Sequence, residues 1–211
     1  MQLYFSPLAC SMAARISFYE AGAAVDFAEV DPKTKQTPAG EDFLAVNPLG
    51  LVPTLRTEDG ELLFENAAIL QYVAERFPEA KLAPPAGLAR SRLHQWLSFI
   101  GTELHKALFN PLFDTKLSDD AKVRVLEKGD SRLGYLNAYL AGREFLLESF
   151  SVADAYLFTV LNWNIATPVK LAKWPAVRDY YERLKQRPSI ARALGEEHAM
   201  YAAEMIRHKA A

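Results

Sequence analysis

The chain has 211 residues, of which 50% are hydrophobic and 24% charged, and its formal net charge is −2, so it can bury one large core or two modest ones. The absence of a long basic block argues against a nucleic-acid partner, and the absence of a long apolar run argues against a membrane span. The N-terminus has no leader pattern, so we expect a cytoplasmic protein. A single cysteine excludes an intrachain disulfide, and no Cys/His cluster has zinc spacing.

Residues 2 to about 77 alternate between short apolar runs and amphipathic stretches, which is typical of a mixed α/β domain. A strand is predicted at residues 2–5, and a helix at residues 12–21 that Gly22 ends. A second strand follows at residues 25–30. This part of the chain therefore reads β-α-β.

A polar stretch at residues 31–42 leads to a turn, after which Asp59-Gly60 separates two short apolar runs. Asp-Gly in this setting indicates a β-hairpin. Asn66 is a good N-cap for a helix at residues 67–77, which Pro78 ends. The predicted order of this second part is β-β-α.

Three prolines between residues 78 and 85 mark the predicted domain boundary, which gives domains at 1–80 and 86–211. The second domain is predicted to be all-helical. An apolar stripe repeats there at helical spacing and consists of Leu93, Leu97, Ile100, Leu104 and Leu108. Ser151 and Asp154 have the spacing of a capping box before the apolar run at residues 155–161. Capping accounts for both residues, so we assign them a structural role.

A β-α-β-β-β-α domain with a cysteine at its first helix, a Val-Pro before its third strand and an all-helical second domain resembles the cytosolic glutathione S-transferases. The likeness extends over essentially the whole chain. It is greatest to the bacterial beta class, whose members carry Ala-Cys-Ser where this chain has Ala9-Cys10-Ser11. Further matching motifs are Val46-Asn47-Pro48, Val52-Pro53, Glu65-Asn66, residues 102–106 and residues 153–158.

This resemblance implies a thioredoxin-like first domain that binds glutathione, a helical domain that shapes a pocket for small hydrophobic electrophiles, and a homodimer. The implied activity is conjugation of the glutathione thiolate to electrophiles, with glutathione-dependent peroxidase or thiol-transferase activity as a further possibility. The runner-up reaction is thiol–disulfide or dehalogenase-type exchange. The alternative from another class is a non-catalytic regulator or ligand carrier on the same fold.

Cys10 has two interpretations. A free cysteine often behaves as a small buried hydrophobic residue. At a helix start, however, unpaired backbone N–H groups and the helix dipole lower a thiol pKa, and the same field can stabilise the thiolate of bound glutathione. The resemblance implies that Cys10 lies next to the glutathione sulfur, with Ser11, His105 and Lys106 as the other catalytic candidates. No second cysteine is available to resolve a mixed disulfide.

Other residues of the first domain are candidates for binding glutathione. Glu65 and Asn66 are read either as a helix cap or, by resemblance, as ligands of the γ-glutamyl group. Val52-Pro53 is read either as an edge-strand start or, by resemblance, as a cis peptide whose Val52 backbone pairs with the cysteinyl unit. Lys35 is either a solvated lysine or, by resemblance, the partner of the glycine carboxylate.

In the second domain, Ser98, Thr102 and His105 cluster away from the leucine stripe on a wheel of about 100° per residue. Because Phe109 lies on the same side, we interpret this side as a contact face that looks across the cleft at Cys10. Glu103 lies about 200° from His105 on the same wheel. By resemblance, Glu103 reaches the glutathione of the partner subunit; the plain alternative is that it solvates the helix.

Two further residues bear on the predicted electrophile pocket. Trp163 is more often a core residue than a ligand contact, although the resemblance allows it to line the electrophile pocket. Leu8 stands where relatives commonly have a glycine before Ala-Cys-Ser, which narrows the freedom of the backbone and adds an apolar side chain near the pocket.

Overall fold

The computed structural model describes residues 1–210, which divide into two compact units. The first unit combines Met1–Leu82 with the described residues from Pro188 onward, and the second unit is Ala83–Arg187. The sequence assigned all of 86–211 to the second domain. In the structure, the last helix instead packs within the first unit. The predicted division of function, with glutathione binding in residues 1–80 and the electrophile pocket in residues 86–211, stays a prediction.

The strands of the first unit form one four-stranded sheet in the order β2-β1-β3-β4. They are β1 (Gln2–Phe5), β2 (Asp26–Glu29), β3 (Thr54–Arg56) and β4 (Leu62–Leu63). β1 and β2 are parallel, whereas β1–β3 and β3–β4 are antiparallel. The predicted succession of strands and long helices along the chain, β-α-β and then β-β-α, is confirmed. Gly60 has a φ of 85°, as the Asp-Gly turn between β3 and β4 requires.

The helices extend over both units. They are α1 (Met12–Glu20), α2 (Phe43–Val46), α3 (Asn66–Arg76), α4 (Leu88–Phe99), α5 (Asn110–Phe113), α6 (Asp119–Leu140), α7 (Val152–Asn162), α8 (Pro175–Lys185) and α9 (Pro188–Ala210). A π-helix, Ile100–Phe109, joins α4 to α5, and short 3₁₀ turns occur at Pro78–Ala80, Trp163–Ala166 and Leu171–Lys173. Helix α2 was not predicted from the sequence. The Asp42 side chain caps it by accepting from the Leu44 N–H at 3.0 Å.

Helix α9 packs on α1 around a buried cation. Arg15 of α1 is 1% exposed, and its guanidinium carbon lies 4.1 Å from the ring centres of both Phe5 and Phe27. Its Nη1 and Nε lie 3.0 Å and 2.9 Å from carboxylate oxygens of Glu196 and Glu197. A buried guanidinium needs paired carboxylates to offset its lost hydration. This cluster therefore ties the last helix of the chain to the first.

The leucine stripe of the second unit is buried as predicted. Leu93, Leu97, Ile100, Leu104 and Leu108 are each at most 2% exposed. The predicted capping box is also confirmed, because Asp154 accepts from the Ser151 N–H at 2.9 Å and from the Ser151 hydroxyl at 2.8 Å. Every residue of α7 is buried. Among the described residues, no helix has both the length and the apolar character that crossing a bilayer requires.

The π-helix was not predicted. The Asn110 N–H donates to the His105 carbonyl, five residues earlier, whereas an α-helix would pair it with residue 106. The wheel of about 100° per residue therefore does not describe Ile100–Phe109, and the 200° separation calculated for Glu103 and His105 does not hold as a geometric value. π-helical turns are rare and occur frequently at functional sites.

Candidate functional site

Cys10 lies half-buried in the turn that leads into α1, as the sequence predicts. The Cys10 carbonyl accepts from the Ala13 N–H at 3.2 Å, and the thiol sulfur lies 3.3 Å from the Val52 carbonyl oxygen. The neighbouring Ser11 is fully buried; its hydroxyl donates to the Ser6 carbonyl at 3.2 Å and accepts from the Ser6 N–H at 3.3 Å. The Ser11 side chain thus holds the loop before Cys10 together.

The loop opposite the thiol contains the predicted cis peptide. The Val52-Pro53 bond is cis, which confirms that expectation, and β3 begins at the next residue. Asn47 braces this loop, since its side-chain amide donates to the Leu51 carbonyl at 2.8 Å and to the Thr54 hydroxyl at 3.1 Å. The Val52 backbone is therefore held next to Cys10.

The start of α3 differs from the sequence prediction by one residue. The N-cap is Glu65, with a φ of 66°, and the Glu65 carbonyl accepts from the N–H groups of Ala68 and Ile69. The prediction that Asn66 caps the helix is wrong. The Asn66 side chain donates instead to the Cys10 carbonyl at 3.1 Å.

Asn66 is 6% exposed, so its side chain is nearly inaccessible. Among the described residues, its Oδ1 atom has no hydrogen-bond partner. Exchanging the two amide atoms would place oxygen against the Cys10 carbonyl oxygen, so the bond to Cys10 requires that Nδ2 faces this carbonyl. The start of α3 therefore holds a buried acceptor that has no donor among the described residues.

Lys35 lies on the loop between β2 and α2 with a φ of 57°. Its backbone N–H donates to the Asp31 carbonyl at 2.9 Å, and its own carbonyl accepts from the Phe43 N–H at 2.9 Å. The side-chain Nζ lies 3.1 Å from the Gly50 carbonyl oxygen. The ammonium group therefore lies against the loop that carries the cis peptide.

The predicted residues of the first unit thus form a connected set. One hydrogen bond joins Cys10 to Val52, a second joins Cys10 to Asn66, and Lys35 contacts Gly50, two residues before Val52. Helix α1 begins two residues after Cys10, and helix α3 begins at Asn66. Helix N-termini favour anions, so the arrangement suits a ligand with a thiolate and carboxylates.

His105 is the most deeply placed candidate of the second unit. It is 7% exposed, its Nδ1 lies 2.8 Å from the Tyr156 hydroxyl, and its ring packs against Trp163 at 4.9 Å. Burial, and then the charge of Lys106, lower the pKa of His105 to about 4. The imidazole is therefore neutral at neutral pH.

Trp163 itself is 8% exposed and also packs on Phe109 and Phe113, which agrees with its assignment as a core residue. Its role beside an electrophile stays a prediction.

The other candidates of the second unit are accessible. Ser98, Thr102 and Lys106 are exposed, and the Thr102 hydroxyl donates to the Ser98 carbonyl at 3.0 Å. Glu103 is partly exposed and forms an ion pair with Arg132 of α6 at 3.0 Å. The side of the helix predicted as one contact face is therefore divided into exposed polar groups and the buried His105.

Glu197, which sequence reasoning missed, supports the loop before Cys10. Its Oε2 accepts from the Leu8 N–H at 2.7 Å, and Leu8 has a φ of 59°. Burial raises the pKa of Glu197 to about 7, although Arg15 and the Leu8 N–H each act to lower this pKa. In the sequence, the signal for this contact was Leu8 at a position where glycine is common. Glu197 itself gave none, because it lies 189 residues from Leu8 along the chain.

Among residues 1–210, no group of three or more His, Cys, Asp or Glu side chains is arranged to hold a metal ion.

The sequence matches the N-terminal domain of glutathione S-transferase over residues 9–76 and the C-terminal domain of the same family over residues 102–197. It is 38% identical over 199 residues to the glutathione S-transferase GstA of Escherichia coli O157:H7, which covers 93% of this chain and 98% of that protein.

Two solved structures are similar over nearly their whole length. A sphingomonad glutathione S-transferase complexed with glutathione is 44% identical, with a TM-score of 0.90 and coverage of 94% of this chain and 99% of that chain. A beta-class glutathione S-transferase of Sphingomonas chungbukensis is 45% identical, with a TM-score of 0.88 and coverage of 93% and 98%.

Proposed function

The chain belongs to the glutathione S-transferase family, and we propose from this premise that it conjugates the thiolate of glutathione to electrophilic substrates. One observation carries the proposal in the structure. The Cys10 thiol, at the start of α1, lies 3.3 Å from the Val52 carbonyl, while the start of α3 reaches the Cys10 carbonyl through Asn66. A thiol, a half-buried loop residue and a helix N-terminus thus meet at one place.

Glutathione is the co-substrate, and each part of it has a chemical counterpart in the first unit. The γ-glutamyl group binds at the start of α3, where the backbone N–H groups from Asn66 onward suit its carboxylate and the exposed Glu65 suits its ammonium. The cysteinyl unit pairs with the backbone of Val52, next to Pro53, in the manner of an added strand. Lys35 pairs with the glycine carboxylate.

The reaction needs the glutathione sulfur as a thiolate. Its S–H proton leaves to solvent, the sulfur lone pair forms a bond to the electrophilic atom, and the leaving group departs with its bonding electrons. The positive end of α1, beside Cys10, stabilises the sulfur anion. With a peroxide oxygen or a disulfide as the electrophile, the same thiolate supports peroxidase or thiol-transferase chemistry.

The catalytic assignments of Ser11, His105 and Lys106 remain proposals. Because His105 is neutral at neutral pH, its contribution is a hydrogen bond and not a positive charge, whereas Lys106 supplies an exposed cation. Ser98, Thr102 and Glu103 are proposed as further ligand contacts. We further propose that the second substrates are small hydrophobic electrophiles. The protein is proposed to be a homodimer and to be located in the cytoplasm.

The test combines activity with one binding-site variant. We expect glutathione-dependent activity on an aromatic halide, a peroxide or a mixed disulfide. Glu65→Ala should raise KM for glutathione much more than KM for the electrophile, because only the γ-glutamyl contact is lost. The matched control is Glu61→Ala, which removes an exposed acid from the nearby hairpin. Glutathione binding without turnover of any of the three substrates would favour the ligand-carrier alternative.

A further inference from the structure

The last turn of α9 contacts the loop that presents Lys35. His208 Nε2 lies 2.7 Å from Asp31 Oδ2, and the two side chains are 12% and 17% exposed. Arg207, in the same turn, pairs with Glu29 at the end of β2. The C-terminal helix therefore contacts both the strand end and the loop that follows it.

Asp31 organises this loop through its second carboxylate oxygen. Oδ1 accepts from the N–H groups of Lys33 at 2.8 Å and Thr34 at 3.0 Å. The backbone of Asp31 closes the same turn, since its carbonyl accepts from the Lys35 N–H and its own N–H donates to the Gln36 carbonyl, both at 2.9 Å. The orientation of the Asp31 carboxylate thus determines the turn that leads into Lys35.

The two oxygens of Asp31 have separate tasks. Oδ1 holds the turn, and Oδ2 is held by His208. Burial opposes the ionised form of Asp31, but the N–H groups of Thr34 and Lys33 and the contact with His208 outweigh it and lower the pKa of Asp31 to about 2. Asp31 is therefore a carboxylate, so the His208 Nε2 must carry the proton and donate it.

Glu204, one turn earlier in α9, lies on the other side of His208. Its Oε1 is 3.8 Å from His208 Nδ1, and the Glu204 side chain is 6% exposed. The imidazole is therefore enclosed between a buried acid of its own helix and the Asp31 loop.

We propose that His208 is a positioning residue for glutathione binding: it fixes Asp31, and through the Asp31 turn it places the Lys35 ammonium where the glycine carboxylate of glutathione binds. The proposal rests on the proposed function, in which Lys35 is the partner of that carboxylate. It extends the glutathione site to the C-terminal turn of the chain. A residue 173 positions after Lys35 then affects affinity for one end of the ligand only.

The test compares glutathione with γ-glutamylcysteine, which lacks the glycine residue. His208→Leu removes the donor, and we expect KM for glutathione to rise roughly three- to tenfold, as for the loss of one typical hydrogen bond, with kcat little changed. KM for γ-glutamylcysteine should not change. His208→Gln retains an N–H donor and should restore most of the affinity for glutathione. In a Lys35→Met background, His208→Leu should have no further effect.

The control variant is Arg192→Met, which removes an exposed ion pair with Glu196 from the same helix and should leave both KM values unchanged. An unchanged KM for glutathione in His208→Leu, or an equal rise for both thiols, would overturn the positioning role. If Lys35→Met itself fails to separate the two thiols, the Lys35 assignment in the proposed function is wrong, and the inference about His208 is wrong with it. If His208→Leu does not fold, His208→Gln takes its place and is compared with Lys35→Met. A His208→Gln protein whose KM is raised for both thiols counts against the proposal.

Discussion

At the scale of single residues, Cys10 joins the two helix N-termini to the cis-peptide loop. Its sulfur contacts Val52 and its carbonyl receives the Asn66 amide. A thiol that is half-buried at a helix start is accessible to small molecules, in contrast to a fully buried structural cysteine. The alternative interpretation of Cys10, as a small buried hydrophobic residue, does not explain these contacts.

We therefore predict that oxidised glutathione reacts with Cys10. The Cys10 thiolate attacks one sulfur of the disulfide, a mixed disulfide forms, and one glutathione thiolate leaves. Intact-mass measurement of the native protein should show a single adduct, because the chain has one cysteine. Cys10→Ala should show none, and absence of an adduct in the native wild type would count against a redox role.

His105 gives a prediction about pH. Burial and the charge of Lys106 lower the pKa of His105 from 6.5 to about 4. Between these values the unfolded chain binds a proton that the folded protein does not, so the free energy of unfolding falls as pH falls through this range. The wild type should therefore lose stability relative to His105→Asn between pH 6.5 and 4, by no more than about 3 kcal/mol.

Urea denaturation of both proteins across this pH range measures the effect. A constant difference between them would mean that His105 ionises in the folded protein as readily as in the unfolded chain.

At the scale of elements, the sequence predicted what depends on local pattern. Strand β1, the Asp-Gly hairpin and the capping box all follow from neighbouring residues, and the structure confirms each. The π-helix was missed because its leucine stripe has ordinary α-helical spacing. The bond from the Asn110 N–H to the His105 carbonyl, five residues earlier, shows the change of period. The shift of the α3 cap to Glu65 was missed because it depends on a contact between Asn66 and the distant Cys10.

Helix α7 gives an element-scale prediction. Asp154 is fully buried and accepts four hydrogen bonds, from the Leu146 N–H, the Ser151 N–H and hydroxyl, and the Tyr180 hydroxyl. Asp154→Ala leaves these donors without their acceptor, which should cost about 3 kcal/mol or more in the free energy of unfolding. Ser151→Ala removes only part of the cap and should cost about 1 kcal/mol.

Equilibrium urea denaturation measures both changes. Asp179→Ala, at an exposed position on α8, is the matched control and should be nearly neutral. An Asp154→Ala protein as stable as this control would show that the box does not hold α7 in place.

At the scale of the whole molecule, the contacts that sequence reasoning could not find join the two ends of the chain. Glu197 reaches Leu8, and His208 reaches Asp31. Neither contact leaves a periodic signal, because an acid or a histidine on an exposed-looking helix resembles any solvated residue until the fold is known. The family resemblance supplied the fold and the ligand, but the resemblance did not identify the helix that braces the binding loops.

The proposed homodimer raises the question of what Glu103 does. In the structure, Glu103 pairs with Arg132 of the same unit at 3.0 Å, and both side chains are about one-third exposed, at 38% and 33%. An exposed pair of this kind contributes little to stability. It therefore leaves Glu103 available for a second task, and we predict that it contacts the glutathione bound by the partner subunit.

Heterodimers with one working site separate this prediction from a solvating role. One protomer carries Glu65→Ala, which disables its own site, and Glu103→Gln is added either to that protomer or to the one with the intact site. In a two-fold dimer each interface residue meets its counterpart's surroundings, so a shared site is affected only by the partner's Glu103. KM for glutathione should rise, roughly tenfold for the loss of a hydrogen bond to a charged group, when Glu103→Gln lies opposite the working site, and should not change when it lies in the same protomer. Equal effects in both arrangements, or a protein that light scattering shows to be monomeric at assay concentration, would rule out sharing while leaving the transferase activity unaffected.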